Sequence, residues 1–165
     1  MFCCASRYPE DKKELYALLK EQLAALCQGG ERPVSKLANA AALLGAALAD
    51  INWAGFYIAG EGELYLGPFQ GKPACVSIPW GRGVCGTAAE RDGPQMVPDV
   101  RGFPGHIACD ADSNSEIVIP IHSGGRVAAV LDIDSPLKAR FGEEDLKGLS
   151  ELCALLEELV CWEKI

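Results

Sequence analysis

Apolar residues at helical spacing open the chain. Leu15, Leu18, Leu19, Leu23 and Leu26 share one face of a first helix that Gly29-Gly30 ends. Pro33 suits the first turn of a second helix, with Val34, Leu37, Ala38, Ala41, Leu44 and Leu48 as its inward stripe. The period then changes to two. Asn52 to Ala59 reads as a strand, Gly60-Glu61-Gly62 as its turn, and Glu63 to Phe69 as the return strand. Alternation puts Ala54, Phe56 and Ile58 on one face and Trp53, Gly55 and Tyr57 on the other, with Gly55 leaving space between two aromatics. From Gly71 to Asp110 the pattern breaks into a Gly- and Pro-rich middle, with one short helix over Cys85 to Arg91. Ser115 to Ile121 and Arg126 to Asp134 form a second hairpin around Ser123-Gly124-Gly125. The last helix runs from about Glu143 to Trp162, with Leu146, Leu149, Leu152, Cys153, Leu156, Leu159 and Val160 inward.

Two helices, a hairpin, a long loop region, a second hairpin and a closing helix predict an α+β fold. Strands joined by tight turns argue for an antiparallel sheet with helices on one face. The 165 residues fit a single domain over 1–165, with residues 1–10 expected to be a flexible N-terminus. A core of that size needs no disulfide or metal staple. The longest apolar run, Ala38 to Ala49, is interrupted by Asn39 and Gly45 and is too short to span a membrane. A net charge of −8, with lysines scattered among acids, argues against nucleic acid. The N-terminus lacks the order of a secretory signal, so the expected location is cytoplasmic.

In such a compartment the eight cysteines are expected to be reduced, and the question is which of them react. Cys27, Cys153 and Cys161 sit in helical patterns and read as small buried hydrophobes, while Cys3 and Cys4 lie in the terminal segment. Cys75, Cys85 and Cys109 lie in or beside the irregular middle, flanked by Gly81, Gly83, Gly86 and Gly105. Long irregular stretches in compact domains are usually functional. No pair has C-x-x-C spacing. Zinc held by Cys75, Cys85, His106 and Cys109 is a rival reading, but only His106-x-x-Cys109 has short ligand spacing, so no metal is expected. His106 could lower the Cys109 pKa or could simply be a hydrogen-bonded loop histidine; His122, at a hairpin end, is expected at the surface.

The carboxylates say more. In the strand from Arg126 to Asp134, Asp132 and Asp134 share a face with Ala128 and Val130. Aspartate is a poor strand former, and Asp132 follows five apolar residues, which favours a site over turn capping. Glu116 opens the facing strand. A three-residue loop at Ser123-Gly124-Gly125 pairs Glu116 with Asp132, whereas a two-residue loop pairs it with Ile133 and turns it away. A functional cluster therefore predicts an odd-length loop or a bulge. Three carboxylates, two aromatics and a thiol suit a ligand with an ammonium and an apolar or sulfur-bearing part to pack on Trp53 and Tyr57. Crowded carboxylates also raise one another's pKa, so one can stay protonated and donate to an oxygen leaving sulfur.

These residues carry a resemblance. GKPACVSIPWGRGVCGTAA, VPDVRGFPGHIACDADSNSEIVIPI and VLDIDS, together with DINWAGFY and LGPFQGK, closely resemble the free methionine-(R)-sulfoxide reductases of the GAF-domain type. The resemblance implies a GAF-like fold: a central antiparallel sheet of about six strands, N- and C-terminal helices on one face, and long active-site loops on the other. It implies thiol-dependent reduction of free L-methionine (R)-S-oxide without a bound cofactor. By resemblance, Cys109 is the nucleophile and becomes a sulfenic acid, Cys75 resolves it as a disulfide, and Cys85 takes part in recycling. Thioredoxin is the implied external reductant, and a homodimer is an implied assembly. Trp53, Tyr57, Glu116, Asp132 and Asp134 are implied to bind the substrate. A non-enzymatic GAF module that senses a small ligand is the alternative, and it gives no reason for three motif cysteines beside an acid cluster.

Overall fold

Capping and proline chemistry place the first two helices. In the computed structural model, which describes residues 7–29, 32–107 and 109–165, helix α1 (Lys12–Leu26) starts at Asp11, whose carboxylate accepts from the Glu14 amide at 2.9 Å. Cys3, Cys4 and Gly30 lie outside the described residues. Helix α2 (Pro33–Ala47) begins on its proline. Its inward stripe differs from expectation: Val34 is 57% exposed and Ala38 is also exposed, while Leu37, Ala40, Ala41, Leu43, Leu44 and Ala47 are buried. This helix is apolar nearly all round, so sequence period alone does not fix which arc turns inward.

Strands β1 (Trp53–Ala59) and β2 (Glu63–Gly71) form the first hairpin; β5 (Ser115–Ser123) and β6 (Arg126–Ser135) form the second. Two strands of three residues, β3 (Ser77–Pro79) and β4 (Gln95–Val97), arise within the middle that read as irregular, flanking helix α3 (Gly83–Arg91). The sheet order is β3-β2-β1-β6-β5-β4, and every neighbouring pair is antiparallel. The six strands match the expected sheet. Helix α4 (Glu143–Leu159) ends before Trp162, which instead opens a 3-10 turn and donates from its indole to the Leu156 carbonyl at 3.2 Å.

The second hairpin settles the parity question. Gly124 and Gly125 both have positive φ and make a two-residue turn, with Ser123 opposite Arg126. A bulge between Ile121 and His122 then shifts the ladder by one. Glu116 therefore faces Asp134, and Val118 faces Asp132. The expected Glu116–Asp132 pair is displaced by two positions, yet all three acids share one face.

The sheet has two buried faces. Ala54, Phe56, Ile117, Ile119, Ile121, Ala129, Leu131 and Ile133 pack under α1, α2 and α4. Trp53, Tyr57, Leu64, Val118 and Val130 pack on the other side with Ile78, Val84, Cys85, Ala88 and Ala89 from the middle segment. Among the described residues no helix is long and apolar enough to cross a membrane. Cys27 and Cys153 are buried, as a structural reading requires, while Cys161 is half-buried.

Asp145 fastens the helical layer. It is 1% exposed and accepts from the Tyr16 hydroxyl at 2.8 Å, the Lys12 ammonium at 2.5 Å and the Gly142 amide at 2.9 Å. Asp145→Ala leaves these donors without their acceptor and is expected to cost about 3 kcal/mol in urea denaturation. A loss below about 0.5 kcal/mol would show that solvent replaces the carboxylate at this joint.

Candidate active site

The register of three strands builds the site. Trp53 on β1 lies beside Asp134 on β6, which lies beside Glu116 on β5. In the next row Gly55, Asp132 and Val118 are neighbours. Trp53 stacks on Tyr57 at 5.9 Å and on Phe69 at 5.3 Å between ring centroids. A side chain at position 55 would not fit beneath them: a Cβ there would lie 2.4 Å from the Phe69 Cβ and 2.7 Å from the Trp53 ring. Gly55 thus lets the indole lie along the strand and form an apolar wall beside the carboxylates.

The loops supply the sulfur atoms. Cys75 and Cys109 are joined by a disulfide, with Cα atoms 5.7 Å apart, inside the usual span of about 4.4–6.8 Å. The backbone of the Cys75 loop is pinned to β1 twice: the Trp53 indole donates to the Lys72 carbonyl and the Tyr57 hydroxyl to the Cys75 carbonyl, both at 3.1 Å. Cys109 is exposed at the mouth of the site. Cys85 is different: α3 carries it into the buried layer, where it is 3% exposed and its thiol lies 3.8 Å from Glu116 Oε1.

Burial governs the electrostatics. Glu116 and Asp132 are each 6% exposed. Desolvation, then the charges of Asp132 and Asp134, push Glu116 well above the usual carboxylate range. Desolvation raises Asp134 in the same way, reinforced by Asp132. Asp132 rises to about 7 through desolvation, partly opposed by hydrogen bonds from Cys85 and Glu116. The cluster titrates as a unit and holds protons at neutral pH. Burial, followed by the Asp132 and Glu116 charges, also pushes the Cys85 thiol well up, so it is neutral and fit to donate a hydrogen bond.

The acids, aromatics and motif cysteines singled out in sequence meet here. Trp53, Tyr57, Cys85, Cys109, Glu116, Asp132 and Asp134 line one cavity of about 40 Å³, to which Pro73, Ala74 and Ile107 also contribute. Cys75 stands at its rim through the disulfide. The four-ligand zinc set is not assembled, because Cys75 and Cys109 are bonded to each other. Cys85, Glu116 and Asp132 instead have ligand-type atoms within 4.8 Å of one another. Their arrangement also fits a proton-bearing acid cluster. His106 lines the cavity with its Nδ1 buried and unpartnered, and desolvation lowers its pKa. A neutral imidazole is a weak means of lowering a thiol pKa, which disfavours the first of its two readings. His122 is only half-buried, and its ring nitrogens lie 2.6 Å from Asp92 and 2.9 Å from Glu157.

Sequence reasoning missed a polar net beside the disulfide. Asn52 donates to Asp110 at 3.1 Å and to Ser113 at 3.0 Å, and Lys72 reaches Asp110 at 3.1 Å. The clues were adjacency to Cys75 and Cys109, but loop residues carry no periodic signal.

Known proteins resemble this chain over nearly its whole length. The GAF domain family matches residues 33–159. A free methionine-R-sulfoxide reductase of Escherichia coli is 53% identical over 150 residues, covering 91% of each chain. That of Saccharomyces cerevisiae is 44% identical over 156 residues, covering 90% of this chain and 87% of its own. The structure of free methionine-R-sulfoxide reductase from Neisseria meningitidis in complex with its substrate superposes with a TM-score of 0.94 at 41% identity, covering 99% of this chain and 98% of that one.

The buried acids give the fold a pH signature. Asp132 sits at about 7 in the folded protein, against about 3.9 when unfolded. The folded state therefore binds more protons, and the stabilisation this confers is complete below about pH 4 and lost as pH rises through about 7. Asp132→Asn should unfold at higher urea than wild type at about pH 8, and this advantage should shrink at about pH 5. An advantage that grows on acidification would reverse the assigned direction.

Proposed function

This chain belongs to the GAF-domain family of free methionine-R-sulfoxide reductases, and we propose that it reduces free L-methionine (R)-S-oxide to methionine at the cavity under Cys109. One observation carries the reading: a loop cysteine stands at the mouth of a pocket lined by three carboxylates, Glu116 and Asp132 buried and Asp134 half-buried, and walled by two stacked aromatics. The carboxylates suit the ammonium of a free amino acid, which a residue within a peptide lacks. Trp53 and Tyr57 offer faces for the thioether part.

The reaction needs a nucleophile, an acid and a second thiol. The Cys109 thiolate attacks the sulfoxide sulfur, a proton from the acid cluster goes to the sulfoxide oxygen, and that hydroxyl passes to the Cys109 sulfur as the transient sulfur–sulfur bond breaks, releasing methionine and leaving Cys109 as a sulfenic acid. In the cluster of Glu116, Asp132 and Asp134, a protonated member supplies that proton and an ionised member pairs with the ammonium. Cys75 then attacks the sulfenic sulfur, forming the disulfide and releasing water. The disulfide between Cys75 and Cys109 corresponds to the oxidised end of this cycle. An external dithiol, which we read as thioredoxin, returns both thiols, so no bound cofactor is required. Such a cycle runs in a reducing compartment, which supports a cytoplasmic location. Cys85, neutral and buried, is suited to hold Glu116 by a hydrogen bond, and its part in recycling is what the family resemblance implies.

The test is turnover of free L-methionine (R)-S-oxide with thioredoxin, thioredoxin reductase and NADPH. Wild type should turn over the R epimer and leave the S epimer and a peptide-bound sulfoxide untouched. Cys109→Ser should fall to background. Cys75→Ser should release about one methionine per protein before slowing. A folded, reduced wild type without turnover would sink the reductase reading and leave a GAF module that senses a small ligand.

A further inference from the structure

Disulfide closure requires two loops from different parts of the chain to meet, and an ion pair spans them beside the sulfurs. Lys72 lies on the exit from β2, just ahead of Cys75, and Asp110 directly follows Cys109. The Lys72 ammonium lies 3.1 Å from Asp110 Oδ1 and also contacts Asp112. Asp110 is itself aimed: Asn52 donates to its second oxygen at 3.1 Å, and the Asp112 amide donates to its first at 3.0 Å. The Lys72 carbonyl is held by the Trp53 indole. Both partners of the pair are thus anchored near the N-terminal end of β1, one through Trp53 and the other through Asn52. Lys72 does not line the cavity.

We propose that Lys72 is a positioning residue for disulfide closure: its ammonium draws the Cys109 loop, through Asp110 and Asp112, into register with the Cys75 loop. The proposal rests on the sulfenic acid of the reading above. In the step it serves, the Cys75 thiolate attacks the Cys109 sulfenic sulfur. The S–S bond forms, the S–O bond breaks, and hydroxide takes a proton to leave as water. Cys75 is oxidised and Cys109 reduced. The ion pair touches no reacting atom. It raises the effective concentration of one thiol at the other sulfur, a contribution set by geometry. Because the Lys72 end of the pair is solvent-exposed, although Asp110 is mostly covered, its effect is modest and sensitive to salt.

The experiment uses Lys72→Met and Lys72→Arg in the otherwise native chain. Reduced protein is mixed with one equivalent of free L-methionine (R)-S-oxide and quenched with acid. Methionine release is followed by chromatography, and thiol, sulfenic acid and disulfide are separated by mass spectrometry. Lys72→Met should release methionine at the wild-type rate, close the disulfide about two- to fivefold more slowly and accumulate sulfenic acid. Lys72→Arg should recover most of the rate. Salt at about 1 M should slow closure in wild type toward the variant and leave Lys72→Met unchanged. A glutathione titration gives a readout independent of catalysis: the Cys75–Cys109 disulfide should become easier to reduce in Lys72→Met by a similar factor. Unchanged closure and an unchanged titration overturn the proposal. Slower methionine release without slower closure also overturns it, since Lys72 would then act on the substrate. If wild type releases no methionine, the reductase reading fails, and the titration alone still decides whether Lys72 registers the loops.

Discussion

Everything at the site depends on gathering three carboxylates, two buried and Asp134 half-buried, on one face of a sheet whose other face is a hydrocarbon core. A strand turns alternate side chains to opposite faces, so a slip of one residue in β5 or β6 would send acids under the helices. The bulge beside His122 restores the parity that the two-residue glycine turn would otherwise break. Glu116, Asp132 and Asp134 then project together while Ile117, Leu131 and Ile133 project into the helical core. The apolar core enforces the register, and the register assembles the acids. The same burial that makes the acids costly keeps them protonated near neutrality, which is the state a proton donor needs.

The sequence made some of this legible because alternation has a period. The two hairpins, their inward faces and the convergence of Trp53, Tyr57 and the three acids could all be read from residues at spacing two. The parity argument also identified the right pair of devices, an odd loop or a bulge. The particular pairing was not legible, since either device restores parity at a different offset. Strands β3 and β4 escaped because three residues are too few to show alternation. Val34 and Ala38 misled because α2 is apolar on more than one arc. Lys72, Asp110 and Asn52 escaped for a different reason: polar loop residues acquire meaning only when folding brings distant loops together.

The two sides of the sheet also divide the work of stability and chemistry. Under the helices, side chains interlock and a single buried acid, Asp145, is fully supplied with donors. Across the sheet, Asp132 Oδ1, His106 Nδ1 and Asn52 Oδ1 are buried without partners. Unsatisfied polar atoms are costly, and two of these, Asp132 Oδ1 and His106 Nδ1, belong to residues lining the cavity, where a polar ligand would complete them. Strain of this kind on one face can be sustained because the other face is saturated with apolar and hydrogen-bonded contacts.

Depth separates the three motif cysteines more sharply than their sequence settings do. All three stand in glycine-rich surroundings, and nothing in residue type distinguishes them. Cys85 rides on α3 into the layer where solvent is excluded, so its charged form is disfavoured both by burial and by the acids it faces. Cys109 sits on a loop that solvent reaches, and Cys75 on a loop tied to the same edge of β1. A sulfur that must meet a small substrate has to be within reach of solvent, and one that supports a buried acid has to be below it. The fold meets both demands by placing two cysteines on loops, one tied to β1 through Trp53 and Tyr57 and the other to Asn52 just before it, and the third on a helix packed against β5 and β6.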